Sequence, residues 1–190
     1  MSDEPAFRDL IGRVRAGDAA AAEELVRHYE PVLRRMVHVR LVGARLRRLF
    51  DTSDICQSVM ASFFVRVALG QYQLHKPADL LKLLATMARN RVIDKARRHN
   101  LDQAVLKAKL PEQAQVAPGT SPGQQLALRE LIEEAHRRLA PDERRVLELR
   151  QQGLEWAEIA AQVGGSPEAL RKRFSRAVAL VTQQLGLDEP

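Results

Sequence analysis

The 190-residue sequence predicts an all-α protein, built as two small helical domains joined by a flexible linker. Three observations carry that expectation. Apolar residues recur at three- and four-residue steps nearly throughout, and no stretch alternates with the period of two that a half-buried strand requires. Residues 101–125, LDQAVLKAKLPEQAQVAPGTSPGQQ, hold three prolines, two glycines and five glutamines without a sustained apolar face, which is linker composition. Residues 153–177, GLEWAEIAAQVGGSPEALRKRFSRA, read as two short helices hinged on a pair of glycines. The expected units are residues 1–100, the linker at 101–125, and residues 126–190.

Taken in order, Asp3 or Asp18 is placed to cap the first helices, and Pro31 is expected to break or kink the helix containing Glu23 to Val42. Asp51-Thr52-Ser53-Asp54 opens a long helix whose apolar residues Ile55, Val59, Phe63 and Val67 fall at four-residue steps, with Gly70 closing it. Gly70 to Lys76 reads as a short loop. Pro77 and Asp79 then start a helix carrying Leu80, Leu83, Leu84, Met87, Ala88 and Val92 to about His99. Beyond the linker, Leu126–Ala140 and Pro141–Gln152 supply two more helices, and no internal repeat is visible.

The glycine-hinged pair is the most informative stretch. Its first helix has the apolar set Leu154, Trp156 or Ala157, Ile159, Ala160 and Val163, and stops at Gly164-Gly165. Its second starts at Ser166, which suits an N-cap, and Pro167, which suits the first helical position. Leu170, Phe174, Ala177, Val178 and Val181 share one face; at 100° per residue Glu168, Lys172 and Ser175 lie opposite, with Arg171 and Arg176 on the flanks. Two short helices joined this way, the second basic outward, fit a helix-turn-helix that sets its second helix in the DNA major groove. A solvated helix pair in an all-helical protein is the alternative reading.

Charge bears on that choice. The chain has 30 Lys+Arg and 24 Asp+Glu, net +6, with a pI near 10.0, which favours an anionic partner. Residues 1–100 carry 18 basic and 11 acidic groups, whereas residues 126–190 carry 10 and 11. The second unit is thus not basic overall, and its cations gather at 166–176 against the single acid Glu168, a clustering that a generally solvated face does not need. A second basic helix, MARNRVIDKARRHN at 87–100, carries Arg89, Arg91, Lys95, Arg97 and Arg98 against Asp94. The helix macrodipole and local pairing with Asp94 account for Arg97 and Arg98, but not for Arg89 and Asn90 in mid-helix.

Other classes find no support. No apolar run approaches the ~18 residues of a membrane span, and MSDEPAFRDL lacks a signal-peptide layout, so the expectation is a cytoplasmic protein. The single cysteine, Cys56, excludes an intramolecular disulfide and reads as a small buried hydrophobe; no Cys-x-x-Cys or clustered His/Cys spacing suggests a metal. There is no Gly-rich phosphate loop, no nucleophile with an identifiable base, and no carboxylate pair outside helix starts. Neither catalysis nor a cofactor is expected.

DTSDICQSVMASFF followed by LLKLLATMARNRVIDKARR resembles region two of bacterial sigma factors, and GLEWAEIAAQVGGSPEALRKRFSRA resembles region four. Their order and short linker, from about Ala6 to Leu185, are similar to the extracytoplasmic-function group of the sigma-70 family. That resemblance implies a promoter-specificity subunit for core RNA polymerase. Asp51, Asp54, Gln57 and Val59 would meet the β′ clamp helices, although Asp51 also suits an N-cap and Val59 also suits the core; the second unit would meet the β flap. Arg89, Asn90, Asp94, Lys95 and Arg98 match the helix facing the minus-10 promoter element. The Gly70–Lys76 loop falls where the family captures an extruded base. Ser166, Glu168, Arg171, Lys172, Ser175 and Arg176 match the minus-35 helix, the linker would thread toward the RNA channel, and an anti-sigma protein is a further partner the family allows.

Two departures stand out. Leu83 sits where many members carry tryptophan, and Tyr72 is the only aromatic between 65 and 155, so an aromatic wedge for strand opening is missing. The stretch 31–50, PVLRRMVHVRLVGARLRRLF, has six arginines and no acid, suiting DNA phosphates or polymerase acids as well as a solvated loop and helix. Two other functions remain open: a stand-alone helix-turn-helix regulator, which leaves the Asp51–Phe64 resemblance unexplained, and a sigma-like decoy for an anti-sigma protein, which would not need both sets of outward cations.

Overall fold

Phe7, Ile11 and Val14 recur at three- and four-residue steps and form the buried face of α1, Glu4–Arg15, in a computed structural model that describes residues 4–40, 51–105 and 122–187. Asp18 then caps α2, Ala19–Arg40, accepting the Ala20 and Ala21 amides at 2.9 and 3.2 Å. Pro31 does not break α2. It lies on the exposed face, where water can serve the carbonyl that lost its partner, while Ala21, Leu25, Leu33 and Val37 hold the helix to the core. Arg34 of the basic stretch pairs with Glu30 at 2.6 Å; residues 41–50 of that stretch, and Asp3, lie outside the described residues.

Asp51 caps α3, Thr52–Ala68, through the Ser53 amide at 2.8 Å, and Gly70 ends it with a φ of +66° that favours glycine. Almost every apolar residue of α3 is buried, so this helix runs through the interior. After the Gly70–Lys76 loop, Asp79 accepts the His75 and Lys76 amides at 3.2 Å each, and α4, Pro77–Val105, buries Leu80, Leu84, Ala88 and Val92. It continues past His99 into what composition alone assigned to the linker. The second run also starts earlier than its apolar pattern, with α5 at Pro122–Arg138, followed by α6, Pro141–Gln151, α7, Trp156–Val163, and α8, Pro167–Gln184.

These eight helices, with no strand among the described residues, bury two apolar clusters. The first is formed by α1, α2, α3 and α4 around Leu25, Leu33, Ile55, Phe63, Leu80 and Leu84. The second gathers Leu139, Leu149, Ile159, Phe174 and Val178 of the C-terminal helices, and includes Val65 and Leu69 from the end of α3. One helix therefore serves both cores.

Candidate nucleic-acid interface

The C-terminal helix pair is fixed by its turn. Gly164 and Gly165 have φ of +83° and +92°, a succession that L side chains rarely adopt, and Ser166 Oγ then accepts the Ala169 amide at 3.2 Å to start α8 at Pro167. Leu170, Phe174, Ala177, Val178 and Val181 are buried, as their spacing predicts. In α7 it is Trp156, not Ala157, that turns inward, lying 6.0 Å from the Phe174 ring with the Arg150 guanidinium 5.0 Å from its centroid. Val163 is exposed rather than packed, because the chain turns away at Gly164.

The outward face carries Glu168, Arg171, Lys172, Ser175 and Arg176, all exposed, beside the cap Ser166. Lys172 pairs with Glu168 one turn back at 2.7 Å. Arg173, which the helical pattern leaves unassigned, reaches Asp142 of α6 at 2.9 Å and ties the two helices together. The partners are 31 residues apart, so no local signal gives that pair away.

On α4, Arg89, Asn90 and Arg98 are exposed and Asp94 and Lys95 half-buried. Asn90 and Asp94 line a cleft of about 360 Å³ together with Tyr72 from the Gly70–Lys76 loop, Leu83 and Thr86. Arg89, Lys95 and Arg98 are not among its walls. Arg15 of α1 donates to the Tyr72 carbonyl and anchors the loop. Arg91, a cation of the same basic helix, is buried and donates to the Leu187 carbonyl, a contact that sequence spacing does not reveal.

The third set divides. Asp51, Asp54 and Gln57 follow one another at three-residue steps on α3, with Asp51 and Gln57 exposed and Asp54 half-buried. Val59 is 1 % exposed within the first core, so it packs the interior and offers a partner no surface. Cys56 beside it is buried, and burial pushes its thiol up to about 11. Among the described residues no group of His, Cys, Asp and Glu could hold a metal ion, and no helix is long and apolar enough to cross a membrane.

An all-helical chain whose helix-turn-helix is anchored within and cationic without belongs to the DNA-binding proteins of that class. More narrowly, the family model described as ECF sigma factor matches residues 4–186, and the chain belongs to that family. No curated protein matches it. Its role is that of a sigma subunit in transcription initiation, in a family that is not enzymatic and that associates with core RNA polymerase and promoter DNA.

Proposed function

We propose that this chain is a promoter-specificity subunit of two helical domains, 1–100 and 126–190, acting in the cytoplasm. It would bind core RNA polymerase through Asp51, Asp54 and Gln57, and read a minus-10 element with Arg89, Asn90, Asp94, Lys95 and Arg98. The face of α8 formed by Ser166, Glu168, Arg171, Lys172, Ser175 and Arg176 would read a minus-35 element. The observation that carries this reading is the cleft joining Tyr72 to Asn90 and Asp94 on a basic helix. An extruded base costs a few kcal/mol to unstack, and such a cleft offsets that by offering a ring face from Tyr72 and donor and acceptor atoms from Asn90 and Asp94 to the base edge. Leu83 in the same wall supplies no ring, so strand opening relies on polymerase and on capture of the base rather than on a wedge.

Run-off transcription with core polymerase on a library of random promoters tests the proposal. Core-dependent initiation from a subset sharing two spaced elements is expected. Initiation from none of them refutes it, and binding of duplex without any dependence on core polymerase would point to a stand-alone regulator.

A further inference from the structure

We propose that the cleft between α7, α8 and the Gly70–Lys76 loop is a binding site for a free nucleoside phosphate, and that its occupant competes with promoter duplex for Arg171 and Lys172. The site stands on the cleft alone, whereas the competition rests on the proposed minus-35 role of α8. Aromatic residues are scarce in this chain, with one Trp, two Tyr and five Phe among 190 residues. Three of them meet in one place. Tyr72 of the loop, Trp156 of α7 and Phe174 of α8 line a cleft of about 290 Å³. That volume lies at the low end of the roughly 300–1,000 Å³ of small-molecule sites, so it suits a single nucleotide and excludes a duplex. The rings are held: Trp156 lies 6.0 Å from Phe174 at a tilt of 56°, and Arg15 anchors the Tyr72 carbonyl. Such walls favour a planar heterocycle, which needs only a π face to stack.

The charge of the cleft has one sign. Arg171 and Lys172 line it, and no acid does among the described residues. Lys172 pairs at 2.7 Å with Glu168, which is not part of the wall; both side chains are well exposed, and a pair of that kind is weak enough to yield to an anion. Two more guanidinium groups stand behind the rings. Arg150 lies 5.0 Å from the Trp156 centroid, and Arg15 reaches the Tyr72 carbonyl. Burial first, and then the Arg150 charge, hold the Arg15 guanidinium below its ordinary value, so like charges already crowd here. An anion in the cleft therefore meets four cations and offsets a repulsion between two of them. Gln71 and Ser175 complete the wall with an amide and a hydroxyl, which can serve a base edge or a sugar.

A ring joined to an anion within one nucleotide's length is the ligand these groups fit. Inorganic phosphate would leave the aromatic walls unused, and an apolar ring would leave the cations unused. A nucleotide within a single strand offers the same chemistry, so a free nucleotide and a strand have to be separated by experiment. Arg171, Lys172 and Ser175 also belong to the face of α8 proposed to read the minus-35 element. One ammonium or guanidinium cannot hold a phosphate in the cleft and a base edge in the groove together. Occupancy of the cleft therefore lowers promoter affinity, and promoter binding lowers nucleotide affinity by the same factor.

Trp156 is the only tryptophan, so its fluorescence in the full-length chain reports the cleft directly. GTP, ATP, guanosine, inorganic phosphate and a short single-stranded oligonucleotide are titrated separately. Saturable quenching by GTP or ATP is expected, with guanosine at least about tenfold weaker for want of the charge. Arg171→Ala/Lys172→Ala should weaken nucleotide binding by about tenfold or more, and Tyr72→Ala by a factor of roughly 5 to 150, the loss of one stacking contact. Saturating nucleotide should lower affinity for minus-35 duplex several-fold. Absence of saturable quenching by either nucleotide, equal affinity for inorganic phosphate, binding of the oligonucleotide alone, or unimpaired nucleotide binding by Arg171→Ala/Lys172→Ala would each overturn the site. Nucleotide that binds without any effect on duplex binding would overturn the competition. A chain that binds nucleotide but initiates nowhere with core polymerase would refute the sigma reading and leave the site standing, and a chain that initiates but binds no nucleotide would do the reverse.

Discussion

Lys172→Ala and Arg176→Ala should fail in different ways, and the contacts of Lys172 set the size of the first effect. Lys172 lies in the second turn of α8, near the end that enters the groove, whereas Arg176 lies a further turn along, better placed for a phosphate. In the free chain the Lys172 ammonium sits 2.7 Å from Glu168, with side chains 61 % and 69 % exposed. An exposed i,i+4 pair of that kind is worth about 0.3–0.5 kcal/mol. A direct base contact is worth about 1–3 kcal/mol of discrimination, so the lysine gains by leaving Glu168 for a base edge. The net loss on Lys172→Ala is then roughly 0.5–2.7 kcal/mol at one promoter position, a factor of about 2 to 100 in preference there. Arg176→Ala should weaken every sequence alike and reduce the log-log salt slope by about one. Glu168→Ala, which releases Lys172 and removes an acid from the DNA face, should raise overall affinity by a few-fold while relaxing the preference at the base that Glu168 reads. Binding of the three variants to single-base minus-35 variants at several salt concentrations measures all of this. If Lys172→Ala weakens every variant equally, the helix holds the backbone there, and specificity belongs to Glu168, Arg171, Ser175 or DNA shape.

Gln57→Ala with Asp54→Ala should lower affinity for core polymerase roughly tenfold in a fluorescence titration, the factor that 1.4 kcal/mol represents, with helix content unchanged because Asp51 supplies the cap of α3. An unchanged affinity would remove these residues from the interface. Ser166→Ala deletes the hydrogen bond to the Ala169 amide and should cost about 1 kcal/mol of stability, read as a lower thermal midpoint. Burial holds the His136 pKa below its ordinary 6.5, partly offset by the Ala68 backbone and Glu133, so the folded chain binds fewer protons than the unfolded chain just below that value. Its contribution to stability is therefore full above pH 6.5 and is lost as the pH falls through the lowered value; thermal unfolding from pH 8 to 5 should show the decline, and His136→Gln should flatten it.

How far the sequence could be read depended on whether a signal was local. The core of α8 follows from the spacing of Leu170, Phe174 and Val181, and its start from Ser166-Pro167, since both rest on contacts within a few residues. The four-residue stripe of α3 identified the face toward α2 and α4 but not the second buried face, because Val65 and Leu69 are covered by helices some seventy or more residues later in the chain. Pro31, expected to break or kink α2, does not break it, for the opposite reason. A proline costs a helix one internal hydrogen bond, and the burial of Leu25, Leu33 and Val37 outweighs that loss, which no window around residue 31 can register. Of the candidate DNA-reading residues, Asn90 and Asp94 meet Tyr72 only through tertiary folding, and Val59 left the candidate surface because four-residue periodicity was the stronger signal.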